Sequence, residues 1–164
     1  MFERPLKTDP IKRYYYHLTY YDLGDEVNLK PLFGDNRAED EPPGERICVS
    51  NHPAKCFVAI PLDGCDRLHL YRTKEKITAK YSYGICDRDV TGEKWLTEET
   101  PSIRILHIDP IMDDEPHSDI FKVLNEYSFV AGDGDFKSKS HAKKASWELS
   151  RLDLFKQIAK PIGK

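Results

Sequence analysis

His17 stands in the run RYYYHLTYYDL (13–23), with five tyrosines around it and the hydroxyl of Thr19 two residues on. In a strand, alternate residues share a face, so Tyr15, His17 and Thr19 would lie on one side. Tyr14, Tyr16, Leu18 and Tyr20 would lie on the other. An imidazole beside a hydroxyl can hydrogen-bond a ligand or move a proton. The competing reading is a half-exposed histidine on an ordinary sheet surface.

Other reactive groups are scattered. CVSNHPAKC brings Cys48, His52 and Cys56 close together, with Cys65 and Cys86 beyond. No CxxC pair is present, and structural zinc sites usually pair their ligands at tighter spacing. The four cysteines read as buried thiols, with no metal expected. Glu93, in VTGEKWL, is a carboxylate before an apolar pair, with Asp87 and Asp89 upstream. Its bland reading is a solvent-facing residue beside a buried Trp95. FKSKSHAKKASW (136–147) gathers Lys137, Lys139, Lys143 and Lys144 around His141 at the start of a helix. Those cations oppose the helix dipole, at roughly 0.3–1 kcal/mol each, so the cluster reads either as an anion or phosphate contact or as a solvated face. GDNRAEDEPPGE (34–45) is an acidic loop without metal-loop spacing. AGDGD (131–135) lacks the lysine of a phosphate loop. No Ser/His/Asp triad is legible from spacing.

These groups need elements to hold them. Aromatic and alternating stretches at 13–21, 46–50, 67–73, 76–84, 92–96 and 102–109 read as strands. PAKCFVAI (53–60) reads as a short helix with Ser50 or Asn51 as its cap and Pro53 in its first turn. Residues 118–129 read as a helix capped at Ser118 or Asp119. Residues 141–160 read as a second, longer helix capped by Ser140. The sum is one α+β domain over 1–164. Its mixed, mostly antiparallel β core spans about 13–109, a short helix follows the second strand, and the helical C-terminal region spans about 116–160.

The 164 residues, 39% hydrophobic and 32% charged, suit one folded domain. A net charge of −3 gives no global attraction to nucleic acid, so any basic site must be local. No apolar run reaches the ~20 residues of a membrane span, and the N-terminus has no signal-like segment. A cytoplasmic protein is expected.

The order of motifs adds a resemblance. YHLT on a first strand, then ICVS running into a short alanine-containing helix, then strands carrying tyrosines, resembles the small ADP-ribosyltransferase fold. Rifampin ADP-ribosyltransferases and RNA 2′-phosphotransferases are the members it is most like. The resemblance covers roughly residues 14 to 109. It implies NAD as substrate, with His17 hydrogen-bonding the ribose hydroxyl and Thr19 beside it. It further implies that the Leu18 backbone clamps the nicotinamide amide, that Ser50 lines the pocket, and that Tyr71 and Tyr81 offer stacking faces. Glu93 would be the catalytic carboxylate that stabilises positive charge on the ribose. Leu18 departs from the family, which has glycine there.

Two functions follow. One is NAD-dependent ADP-ribosyl transfer to a protein, nucleic-acid or small-molecule target. The other is a non-catalytic intracellular binding protein, an inhibitor or regulator such as a phage-encoded or toxin-associated factor, acting through a protein interface. If Tyr15 and Tyr81 fill the space beside His17, the enzyme reading fails.

Overall fold

The computed structural model describes residues 5–32, 44–59, 67–84, 88–108, 118–128 and 136–163. The run 13–21 is not one strand. Arg13 ends β1 (Thr8–Arg13) and pairs with Ile77, whereas Tyr16 begins β2 (Tyr16–Thr19) and pairs with Arg72. The chain changes sheets at Tyr14–Tyr15. β3 (Glu26–Leu29) and β4 (Ile47–Val49) follow, then α1 (Pro53–Ala59). After them come β5 (Leu68–Thr73), β6 (Ile77–Tyr81), α2 (Arg88–Thr91), β7 (Lys94–Leu96) and β8 (Thr100–Ile108). The C-terminal part holds α3 (Ser118–Tyr127), α4 (Lys139–Leu149) and α5 (Asp153–Lys156).

Among the described residues the eight strands form two antiparallel four-stranded sheets, ordered β1-β6-β7-β4 and β2-β5-β8-β3. Two bridges among the described residues link them. Tyr16 N–H donates to the Ser50 carbonyl at 2.8 Å and Ser50 N–H to the Tyr16 carbonyl at 3.0 Å. Leu32, just past β3, exchanges bonds with Arg46, just before β4, at 3.2 and 3.1 Å. Alternation in β2 and β5 explains the layers. Tyr16, Leu18, Leu68, Leu70 and Ile108 pack under the helices with Phe57, Ile120, Leu149 and Phe155. Tyr15, Tyr71 and Leu29 meet Ile47, Val49, Ala79 and Leu96 of the other sheet. β5 is therefore buried on both faces, and each large apolar side chain so buried contributes roughly 1.5–3 kcal/mol. The molecule is a single α+β domain, as its patterning implies.

Three local expectations need correction. α1 is capped by His52 and not by Ser50 or Asn51: the Ala54 N–H donates to His52 Nδ1 at 3.0 Å. That bond requires a bare Nδ1, so the proton sits on Nε2 and is donated to the Lys160 carbonyl at 2.8 Å. The stretch 141–160 is not one helix. Leu152 adopts an extended backbone, and the Ser150 hydroxyl accepts the Ile162 N–H at 3.0 Å, folding the tail back over the break. Its cap is Ser138 and not Ser140, since Ser138 Oγ accepts the His141 N–H at 3.2 Å.

Candidate functional site

The bridge at Tyr16 and Ser50 fixes what the next residues do. In an antiparallel ladder, successive residues turn their backbone groups to opposite neighbours. Tyr15 accepts from Thr73 N–H at 3.0 Å, so Tyr15, His17 and Thr19 address β5. Tyr16 and Leu18 address β4. Past the bridge β4 has diverged, and neither the N–H nor the C=O of Leu18 is hydrogen-bonded to it. Leu18 thus turns a donor and an acceptor towards the β4 side, where they have no partner among the described residues, while its side chain stays in the helix-covered core.

His17 reaches across to β4. Its Nδ1 lies 2.8 Å from the Cys48 carbonyl oxygen. A carbonyl only accepts, so Nδ1 carries the proton and Nε2 keeps a lone pair when the ring is neutral. Desolvation holds the imidazole below its usual range, outweighing the Cys48 carbonyl, which acts in the opposite sense. His17 is therefore a neutral acceptor at Nε2, and that nitrogen has no partner among the described residues.

The remaining candidates are distributed unevenly. Ser50 is buried and donates to the Thr91 carbonyl at 3.0 Å, tying the end of β4 to the segment that carries Glu93. Glu93 lies just before β7 and not within it. Its Oε2 accepts the Trp95 indole N–H at 2.8 Å, and no described contact joins it to His17. Thr19 is half-buried, its Oγ1 accepting the Tyr21 N–H at 3.2 Å. Tyr81 is 43% exposed with Lys94 Nζ 5.2 Å from its ring centre, and no described contact joins it to His17. Tyr15 is 1% exposed and belongs to the inter-sheet core.

Tyr71 has a different duty from the one its ring implies. It is 0% exposed, donates to the Gly24 carbonyl at 2.8 Å and accepts the Leu23 N–H at 2.9 Å. It pins the loop after β2. Arg104 pins the same loop, donating to Asp22 at 2.6 Å and to Asp25, with His69 Nδ1 at 3.3 Å behind it. His69 stacks on His107 with ring centres 4.7 Å apart. The chemistry-bearing face of β2 and β5 thus continues from His17 to His69 and Arg104, neither of which stands out in the sequence. RLHLYRT and SIRILHID each put histidine beside leucine in alternation, and that alternation was the available signal.

The lysine cluster is partly spent. Lys139 and Lys143 lie 3.3 and 3.8 Å from the two oxygens of Asp89 on α2, leaving Lys137 and Lys144 as the exposed pair without a described carboxylate. Asp89 is thereby committed to α4. Most of the acidic loop, the glycine-containing segment 131–135, Cys65, Cys86 and Asp87 lie outside the described residues. Among the described residues no three His, Cys, Asp or Glu side chains gather as a metal site, and both His52 nitrogens are committed. No described helix is long and apolar enough to cross a membrane. Comparison with known proteins adds no identity: no family model, no curated protein and no solved structure matches this chain.

Proposed function

We propose that the chain binds NAD at the mouth where β2 and β4 part, and transfers its ADP-ribosyl group to an acceptor. The observation that carries the reading is the pairing of two features at this mouth. Leu18 has a backbone donor and acceptor on the β4 side without a partner among the described residues, the complement of a carboxamide. His17 holds a lone pair at Nε2, able to accept a ribose hydroxyl. These groups fit NAD chemically. Ser50 supports the wall, and Glu93 supplies the negative charge that would favour an oxocarbenium-like ribose. For Glu93 to act, its carboxylate must turn from the Trp95 indole towards the gap.

A non-catalytic binding role draws on the pinned loop. Tyr21 is 71% exposed, and Tyr20 and Leu23 beside it are exposed too, on a loop that hydrogen bonds hold still. That arrangement suits a protein interface, and it would equally suit acceptor docking by an enzyme.

Nicotinamide release from NAD tests the first reading without knowledge of the acceptor, because water can serve as one. Wild-type protein should release nicotinamide. Glu93→Gln should slow release by about 10²–10³-fold while NAD still binds. Wild-type protein that neither binds nor cleaves NAD would leave the binding role standing; Glu93→Gln at full speed would remove Glu93 alone.

A further inference from the structure

We infer that Arg13, Lys55 and Lys94 form a phosphate-binding site beside the Val49–Asn51 segment. The inference does not depend on NAD cleavage. It begins with a count of charges. Asp9 is buried, and its Oδ2 lies 3.4 Å from Lys94 Nζ and 3.9 Å from an Arg13 terminal nitrogen. Its Oδ1 accepts the Ile11 N–H at 3.1 Å. One carboxylate already serves two cations. Lys55, half-buried on α1, is a third. Its ammonium reaches only the neutral Asn51 Oδ1, at 3.4 Å, and among the described residues it has no carboxylate partner.

The topology puts the three together. Lys94 pairs with Val49 across β7 and β4, two residues before the Asn51 that Lys55 touches. A Cβ at Gly92 would stand 3.4 Å from Lys55 Nζ, so the turn into β7 passes directly under that ammonium. Desolvation, then Lys94 and Arg13, hold Lys55 below its usual range, as expected for cations within one another's field. Among the described ion pairs Asp9 alone serves Arg13 and Lys94 and nothing serves Lys55, so a bound anion would offset the charge gathered there.

A second observation points the same way. The Tyr15 hydroxyl and Arg13 Nε are both buried, and neither has a hydrogen-bond acceptor among the described residues. The Arg13 guanidinium is itself a donor to the Tyr15 oxygen and Asp9 lies in the field of that hydroxyl, so both groups belong to this cluster and the phenolic O–H is the donor left over. Buried donors without acceptors are rare and costly. Here they sit where positive charge is in excess. The missing partner is an anion rich in acceptors. Two ammonium groups, a guanidinium and a phenol supply more donors than a carboxylate's two oxygens can take, whereas a phosphate has oxygens enough.

Thermal unfolding of the full chain in phosphate-free buffer tests this, with sodium phosphate or sodium chloride added at equal ionic strength. Phosphate alone should raise Tm saturably, by about 5 °C or more at about a hundredfold excess over Kd. Lys55→Gln should lose most of that rise, and it should melt higher than wild type without phosphate, because a repulsion has gone. Lys122→Gln, on the exposed face of α3 and outside both lysine clusters, should behave as wild type. Each variant is read as its own phosphate increment, so a general loss of stability does not obscure the result. ADP-ribose and a 5′-phosphorylated RNA oligonucleotide separate the sources. If ADP-ribose displaces inorganic phosphate, the phosphate belongs to the nucleotide; if the oligonucleotide displaces it and ADP-ribose does not, it belongs to the acceptor. Phosphate stabilisation without any NAD binding would keep this site and retire the NAD reading. Equal effects of phosphate and chloride on wild type, or a full phosphate increment in Lys55→Gln, would overturn the inference.

Discussion

Replacing Tyr71 by phenylalanine removes one hydroxyl and keeps the ring. In the structure that hydroxyl donates to the Gly24 carbonyl at 2.8 Å and accepts the Leu23 N–H at 2.9 Å. Each bond contributes about 0.5–1.5 kcal/mol net. Leu23 and Gly24 are exposed, so water recovers part of what their backbone groups lose. The expected cost is therefore about 1–2 kcal/mol, a fall in Tm of about 2–8 °C for a domain of this size. Denaturant unfolding followed by the fluorescence of Trp95 and Trp147 measures it. Hydrogen exchange locates it: amides at 21–25 should exchange about tenfold faster while β5 stays protected. A role as a ligand-stacking ring makes the opposite forecast, since phenylalanine stacks as well as tyrosine and stability would not change. An unaltered midpoint with unaltered loop exchange would refute the assignment of Tyr71 as the pin of this loop.

Acid should destabilise the fold through three histidines. Desolvation is the largest cause holding His17, His52 and His69 below the usual imidazole range, and His107 adds to it for His69. Each binds fewer protons folded than unfolded as pH falls. Stability is thus full above about pH 6.5 and is lost as pH falls from there towards the folded-state values, which urea midpoints across this range should show. The cysteines should separate kinetically: burial pushes the Cys56 thiol up to about 12, whereas Cys48 is exposed. Peptide mapping after iodoacetamide treatment at pH 8 should find Cys48 labelled well before Cys56. Phe155→Ala should cost about 3–5 kcal/mol, measured by chemical denaturation, because it empties a fully buried site packed edge-on to Phe57 at 5.3 Å.

Much of the fold is legible in the residues where a single pattern governs. RLHLYRT, SIRILHID and KITAKYSYG alternate, and they form β5, β8 and β6. Pro53 announces α1. The misses arise where backbone pairing, and not patterning, makes the element. β1 is TDPIKR, charged and interrupted by proline, and it survives at a sheet edge because β6 supplies its partner. β3, only EVNL, is held by β8. The tyrosine-rich run looked like one strand because both halves are aromatic; only the pairing partners show the crossing at Tyr14–Tyr15. At the candidate site, His17 is visible in the run itself, whereas the Leu18 backbone enters only through the family resemblance. The Arg13–Lys55–Lys94 group was not, because its members come from three elements that only tertiary structure brings together.

Calorimetric titration of NAD into wild-type protein and into His17→Ala tests the central proposal most directly. The Nε2 acceptor at the mouth of β2 and β4 predicts saturable binding to wild type. It predicts a roughly 10–100-fold weaker Kd in the variant, the equivalent of about 1–3 kcal/mol for one buried partner left unmade. Absence of binding to wild type, or equal binding by both proteins, would contradict it and return His17 to the role of a bridge between two sheets.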